Sequence, residues 1–355
     1  MLTEELNAPL TYQVEFSSLK SERIRTSKTD VYMKQSPGCL LSVIVIGLNE
    51  QDRLRSSLES VLLHRPRDYG LEVFYVDSGS TDDSVEIASR IPGVEVLHLK
   101  STQPTAAKAR NVGLRHAQGR YVQLVDGDSI IQPGWMDAAL AVLERTPEIV
   151  CVFGQCIEMF PEQSIYMKVC GLDWHIPPGD HRLCGGNAMW RMSVITAHGF
   201  FDETLRSGEE PDLCYRVRQQ GGRIICIDAP MVTHDLGMQR FGQYWMRAET
   251  SGKGYLRVAS RYWRNTEKLW LREVLRHFAE PLIWMIIFLF GWWLGAMLGG
   301  LALLAAWWGI RAVRIGYTVR NRVANFTDAL MYGLHCQFVC LPLALGQLKA
   351  LFGLK

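Results

Sequence analysis

The chain has 355 residues, room for one large α/β domain with an appendage or for two domains, and its formal net charge of +2 gives no electrostatic case for a nucleic-acid partner. Hydrophobic residues make up 48% of it, and their uneven placement is what informs. No charged residue occurs from Pro281 to Ile310, a run of about 30 where a membrane helix needs about 20. The nine cysteines include no C-x-x-C pair, so reduced thiols are expected rather than a disulfide framework.

Residues 1–38 are polar and without period, and read as a mobile or loosely docked arm. Glu4, Glu5 and Glu15 stand where a secretory signal has a basic start and an apolar core, so the domain that follows is expected to stay in the cytosol. Leu41 to Ile46 is a short β-branched run, followed by Gly47-Leu48-Asn49-Glu50 and a helical pattern through Leu54, Leu58, Val61 and Leu62. Leu71 to Val76 predicts a second buried strand, ending at Asp77-Ser78-Gly79-Ser80-Thr81-Asp82. A helix over 83–90, a strand at Val94–Leu99, a helix from Thr105 to Ala117 and a strand from Tyr121 to Val125 follow. Alternating strands and helices with short connections predict a doubly wound, mostly parallel sheet, here over 39–250. Ligands of such sheets bind beyond the carboxyl ends of the strands. Three strands end there in polar clusters: Asn49-Glu50, Asp77-Ser78 and Asp126-Gly127-Asp128. Each alone is an ordinary turn sequence, but three on one edge point to a shared polar site.

Asp126-Gly127-Asp128 is the sharpest of these. Two carboxylates one residue apart at a strand end reach one hard cation from the same side, and Mg²⁺ or Mn²⁺ completed by substrate phosphates is the chemistry that fits. Farther on lie Gly185-Gly186-Asn187-Ala188-Met189-Trp190-Arg191 and Gly208-Glu209-Glu210-Pro211-Asp212. Paired carboxylates opening a helix suit a general base, because burial and a like-charged neighbour raise one pKa. They equally complement a helix N-terminus with proline in its first turn.

Taken together, these motifs resemble family 2 of the inverting nucleotide-sugar glycosyltransferases, which have the GT-A fold. The resemblance rests on Asn49-Glu50 after the first strand, the stretch Val76 to Asp82, Ala109-Arg110-Asn111 with Gly113, Asp126-Gly127-Asp128, and the Gly208-Glu209-Glu210 block. It implies that Asp77 bonds the nucleotide base, that Asn49 and Glu50 belong to the donor pocket, and that Asp128 is the principal metal ligand. Asp126 then lies nearer the ribose and sugar, His234 near the diphosphate or metal, and Glu210 deprotonates the acceptor hydroxyl. Glutamate at 210 replaces the family's usual aspartate, and Ile46 stands where proline often precedes the Asn-Glu pair. Arg110 and Lys108 could add charge near the phosphates, or form a solvated helix face.

Between Lys253 and Arg276 basic residues recur at steps of three and four, with Leu256, Ala259, Trp263, Trp270, Val274 and Phe278 gathered on another side. Over 251–280 this predicts an amphipathic helix lying on an anionic membrane surface, with 281–355 embedded. The run 281–310 is too long for one straight span, and basic residues flank both of its ends. The positive-inside rule therefore favours a hairpin turning near Gly291 or Gly295, with both flanks cytosolic. Ala329 to Leu354 is a second apolar stretch.

The reading these features favour is a transferase at the cytosolic face of the inner membrane, moving one sugar from a UDP- or GDP-sugar to a lipid-linked saccharide in surface-glycan or exopolysaccharide assembly. A polyprenyl-phosphate sugar synthase is the nearest rival. Such enzymes usually continue the metal motif with leucine and histidine-proline, where Ser129-Ile130-Ile131-Gln132 stands here. A non-catalytic nucleotide-sugar-binding subunit is the reading from another class, against which Asp126, Asp128 and Glu210 stand intact.

Overall fold

Every residue from Leu41 to Ile46 is buried, as a strand covered on both faces requires. This strand, β1 (Leu40–Gly47), is the centre of a computed structural model that describes residues 40–354; the polar arm read over 1–38 lies outside them. The chain then alternates through α1 (Leu54–Leu63), β2 (Gly70–Asp77), α2 (Ser84–Ser89), β3 (Val94–His98), α3 (Ala106–His116) and β4 (Tyr121–Asp126). There follow β5 (Ser129–Ile131), α4 (Trp135–Arg145), β6 (Ile149–Glu158), α5 (Ile165–Gly171), β7 (Gly179–His181) and β8 (Ala188–Arg191). The elements of the sheet domain end with α6 (Met192–Ala197), α7 (Glu209–Arg218) and β9 (Arg223–His234).

The strands form one sheet in the order β3-β2-β1-β4-β8-β6-β9-β5, with β7 on β9. The β3-β2-β1-β4 half is parallel, as expected. The other half is mixed: β8 is antiparallel to both β4 and β6, and β5 is antiparallel to β9. The chain runs outward from β1 through β2 to β3 and then returns to β4 on β1's other side, which makes the β1/β4 crevice a topological switch point. Two other registers shape that edge. Ser129 pairs with His234 across β5 and β9, so the end of β9 lies beside the Asp126–Asp128 turn. Gly113 of α3 lies so close to β1 that a Cβ on it would approach Ile44 to 2.5 Å, which seats α3 against the sheet.

After β9 come α8 (Phe241–Tyr262) and the helical segment α9 (Leu271–Val319). The single amphipathic helix expected over Lys253 to Arg276 is in fact two helices, broken between Tyr262 and Leu271. Leu269 is drawn into a buried cluster with Leu205, Tyr215, Val258 and Tyr262, while Glu267 meets Arg182 and Arg218. Lys268 and Trp270 take positive φ angles to make the turn. The basic stripe is also partly engaged, since Arg261 pairs with Asp212 at 3.0 Å and Lys253 with Glu249 at 3.1 Å.

The apolar run is a hairpin. Its arms, Leu271–Gly295 and Met297–Arg322, lie antiparallel. Trp284 and Trp308 meet with ring centroids 4.7 Å apart, whereas one straight helix would separate them by roughly 36 Å. Arg311 donates to Glu280 at 2.8 Å, and a Cβ on Gly291 would lie 2.6 Å from the Cα of Gly300. The turn therefore falls between Gly295 and Met297, at one of the two glycines the sequence marks. Trp293 is 80% and Leu298 75% exposed, as side chains facing lipid would be.

The last elements are α10 (Phe326–Phe338) and α11 (Cys340–Leu351). Among the described residues, three stretches are long and apolar enough to cross a membrane. The first two, the hairpin arms, leave most of their side chains outside the core, whereas Phe326–Leu351 is more deeply buried and packs on its neighbours through glycines. A Cβ on Gly346 would lie 2.0 Å from the Glu249 carbonyl oxygen of α8, and one on Gly333 would lie 2.1 Å from that of Ala312. Because overpacking a close helix contact costs about 1–3 kcal/mol, Gly333→Ala is expected to lower the melting temperature of the detergent-solubilised protein. Gly309→Ala meets nothing within 4 Å and is expected to be neutral or to stabilise by up to about 1 kcal/mol. Equal effects of the two would show that the glycine contact does not hold the helices together.

Candidate active site

Beyond the carboxyl ends of β1 and β4 lies a cavity of about 330 Å³, bordered by Glu50, Ser78, Asp126, Asp128, His234 and Arg247 among others. The backbone of the Asp126–Asp128 turn is fixed from β1, since the Gly127 amide donates to the Ile46 carbonyl at 2.8 Å. His234 Nε2 stands 3.2 Å from Asp128 Oδ1. The β5–β9 register thus brings this histidine to the motif. Asp128 Oδ1 and Glu50 Oε2 are both buried without a hydrogen-bond partner.

The glutamate pair joins this site through Arg110. Arg110 is 3% exposed, and its guanidinium donates to Glu209 at 2.9 Å, to Glu210 at 2.8 Å and to Asp126 at 3.1 Å. The motif after β4 and the pair opening α7 therefore share one buried cation. Gly208 caps α7 at φ 89°, a conformation that favours glycine, and a Cβ there would also approach Val258 to 2.8 Å. Of the two glutamates, Glu210 is the more accessible, its side chain 18% exposed against 5% for Glu209.

Several expected residues are engaged within the chain. Arg110 is not a solvated helix face, since carboxylates enclose it. Lys108 donates to the Gln103 carbonyl at 2.8 Å, closing the loop before α3. Asn49 takes a positive φ of 59°, which asparagine tolerates, and its Oδ1 accepts from the Thr81 amide at 2.8 Å. Its side chain thus shapes the loop after β2. Asp77 accepts from the Gly79 and Ser80 amides at 2.9 and 3.2 Å and does not border the cavity, where its neighbour Ser78 does.

Other residues carry the site without having been singled out for it. Asn187 Oδ1 accepts from the Asp126 amide at 2.9 Å, and its amide nitrogen lies 3.3 Å from Asp126 Oδ2 and from Ser129 Oγ. A Cβ on the preceding Gly186 would come within 2.4 Å of the Arg110 guanidinium. The Gly-Gly-Asn stretch therefore exists to let this backbone reach the ion cluster. Arg53 pairs with Asp235 at 2.7 Å and stands 3.7 Å from Glu50. Asp212 accepts from Tyr262 at 2.7 Å, from Arg261 at 3.0 Å and from Arg216 at 2.9 Å, tying α7 to α8.

The residues present fit a divalent cation. Asp128 Oδ1, with His234 Nε2 at 3.2 Å, and Glu50 Oε2, with Arg53 at 3.7 Å, are buried carboxylate oxygens that lack a well-formed hydrogen bond, and burial, followed by repulsion from Asp128, pushes the Glu50 carboxyl up to about 7. Burial also raises Asp128, against the pull of His234. Among the described residues, no group of three or more His, Cys, Asp or Glu side chains is placed to hold a metal ion by itself. Open carboxylates that leave positions for substrate oxygens and water are what Mg²⁺ and Mn²⁺ require.

Comparison with known proteins agrees with this architecture. Residues 42–198 match the family described as glycosyl transferase family 2. The chain is 27% identical over 179 residues to the pre-mycofactocin glycosyltransferase of Mycobacterium tuberculosis, an alignment covering 47% of this chain and 38% of that protein. It is 24% identical over 238 residues to the glucosyl-dolichyl phosphate glucuronosyltransferase of Haloferax volcanii, covering 61% and 75%. The mannosyltransferase PcManGT from Pyrobaculum calidifontis, solved in complex with GDP-Man and Mn²⁺, superposes with a TM-score of 0.60 at 18% identity, covering 92% of this chain and 91% of that one. That coverage carries the likeness of fold past β9 into the C-terminal helices.

One electrostatic consequence is measurable. Burial, then repulsion by Glu210, raises the Glu209 carboxyl from its ordinary 4.5 to about 7. A carboxyl whose pKa is raised by folding contributes stability below its unfolded value, and loses it as pH rises through the folded one. Without divalent cation, thermal stability is therefore expected to fall between about pH 4.5 and 7, with Glu50 contributing in the same direction. Glu209→Gln should flatten this slope. An unchanged slope in that variant would place the titration elsewhere.

Proposed function

We propose that this chain, a glycosyltransferase by its family 2 domain over residues 42–198, transfers a single sugar from a UDP- or GDP-sugar to a lipid-linked saccharide with inversion. The observation that carries this reading is the Arg110 bridge, which puts Glu210 and Asp126 on one guanidinium, at 2.8 and 3.1 Å. A base candidate and a donor motif far apart in sequence are thereby held in one site at the switch point of the sheet.

The chemistry follows from the groups present. The acceptor hydroxyl oxygen forms a bond to the anomeric carbon while the bond from that carbon to the nucleotide diphosphate breaks. The electron pair leaves with the diphosphate, and the hydroxyl proton passes to the Glu210 carboxylate. Attack opposite the leaving group inverts the anomeric centre, and no covalent enzyme intermediate is needed. Asp128, with Asp126 and Glu50 beside it and His234 at its edge, would hold Mn²⁺ or Mg²⁺, which neutralises charge on the departing diphosphate. Arg110 keeps Glu210 oriented, and Asn187 keeps Asp126 oriented. Asp77 and Asn49 act on the donor side by shaping the loop over 78–82, from which Ser78 reaches the cavity.

Three lines support a lipid-linked acceptor and an inner-membrane site with the catalytic domain on the cytosolic face. The hairpin sets its exposed apolar side chains directly beyond α8, so the domain and a membrane would meet. The Haloferax relative is named for glucosyl-dolichyl phosphate, a lipid-linked sugar. Basic residues flank both arms at the same end, with Arg272 and Arg276 at one and Arg314, Arg320 and Arg322 at the other. Region 251–280 then serves as the junction between membrane and catalytic domain.

Turnover is expected to vanish in EDTA and return with Mn²⁺ or Mg²⁺, and Asp128→Asn should be more damaging than Asp126→Asn. Glu210→Gln should lower the rate by about 10²–10⁴ while the protein still binds nucleotide. Full activity of Glu210→Gln beside a dead Glu209→Gln would move the base by one position. In intact cells, the thiol of Thr318→Cys is expected to resist an impermeant reagent added from outside; labelling there would overturn the orientation.

A further inference from the structure

A second chamber adjoins the donor cavity. Its volume is about 600 Å³, it lies between α8 and the helices of the apolar region, and Leu236 and Arg247 line both spaces. Three arginines border it from three separate stretches: Arg247 on α8, Arg276 on the first hairpin arm and Arg311 on the second. Arg311 is neutralised by Glu280, to which it donates at 2.8 Å. The chamber's other acid, Asp173, accepts from the Tyr332 hydroxyl at 2.8 Å and faces His335 Nε2 at 3.4 Å. Among the described residues, neither Arg247 nor Arg276 has a carboxylate within ion-pair distance. Two guanidinium groups converging on one chamber without a counter-ion form a site for a multiply charged anion.

A neighbouring space gives that anion its carrier. The chamber shares Tyr244 and His335 with an apolar groove of about 480 Å³, walled by Tyr166, Phe241, Phe338 and Trp308 among others. The arginine chamber therefore borders both an aromatic groove and the carboxylate cavity of the donor. A hydrocarbon chain fits the groove, and a phosphate ester fits the chamber. Whatever the phosphate carries projects past Arg247 toward Asp128.

We infer that the arginine chamber is the headgroup site for the phosphate or diphosphate of the lipid-linked acceptor, with the proximal part of its hydrocarbon chain in the groove. This rests on the transferase reading for its direction, but the site itself can be tested by binding alone. The full chain in nanodiscs of neutral lipid is titrated with a polyprenyl diphosphate, with the polyprenyl alcohol of equal chain length, and with inorganic pyrophosphate. The lipid diphosphate is expected to bind at least about tenfold tighter than either control, because each lacks one half of the match. Arg276→Gln should weaken it about 10- to 100-fold, as loss of a charge-assisted contact does, with Arg276→Lys keeping most of the affinity. Nucleotide binding with Mn²⁺ should be unchanged in Arg276→Gln, since Arg276 does not border the donor cavity. Arg247→Gln, on a different helix, should lose the lipid similarly and decides the matter if Arg276→Gln does not fold. Equal binding of alcohol and diphosphate, pyrophosphate binding as tight as the lipid's, or arginine variants that bind like the parent would each overturn the site. Phosphate-selective binding by a protein that transfers no sugar would instead sink the transferase reading and leave this site standing.

Discussion

The site depends on one buried guanidinium. Arg110 faces Glu209, Glu210 and Asp126, so three carboxylates converge on one buried cation. Burying a charge is tolerable only with partners in good geometry, and removing one partner of such a pair costs about 3–5 kcal/mol. Arg110 therefore fixes the distance between the turn after β4 and the start of α7 more firmly than either backbone could. The surrounding sequence follows from it. Gly186 has no side chain because the guanidinium lies where a Cβ would point, and Asn187 takes up the Asp126 amide and one of its oxygens.

One cation for three carboxylates leaves the cluster short of positive charge, and Glu50 and Asp128 next to it add to the deficit. Burial leads the upward shift of Glu50, Asp128 and Glu209, and like-charged neighbours contribute to each. Arg53 and His234 offset this on the Glu50–Asp128 side, and Arg53 is already engaged by Asp235. The protein thus holds the site in a state that a divalent cation would relieve. On the proposed reading, such an excess of carboxylate suits a cavity that receives a diphosphate together with its metal.

How far this was legible in the sequence depends on the range of the interaction concerned. The strands β1 to β4 read correctly to within a residue or two, because buried runs such as Leu41–Ile46 end in turn formers, and both signals are local. The hairpin was readable because charge on both flanks of an apolar run is also a local pattern. Arg110 could be noticed but not understood: its partners at 126, 209 and 210 come together only once β4 and α7 are placed. The same holds for Asn187, whose Gly-Gly-Asn stretch stood out without a role. The helix expected over 253–276 failed for a related reason. Its periodicity is real, but Leu269 and Glu267 gain more from the catalytic domain, through Tyr215 and Arg218, than from continuing the turn.

The junction with the apolar helices follows from close packing rather than polar contacts. Gly252 and Gly346 let α8 and α11 approach until a Cβ on either would strike the other's backbone, so α8 is held between α7 and α11. Its outer end supplies Arg247 to both cavities, and its inner end supplies Tyr262 and Arg261 to Asp212 of α7. One helix thereby couples the position of the glutamate pair to the position of the arginine chamber. On the proposed reading, two anions must be brought side by side, a donor diphosphate and an acceptor headgroup. Their repulsion is strongest where water is excluded. The chain meets it by giving each anion its own counter-charge, carboxylate-bound metal for one and arginine for the other, with Arg247 standing between them.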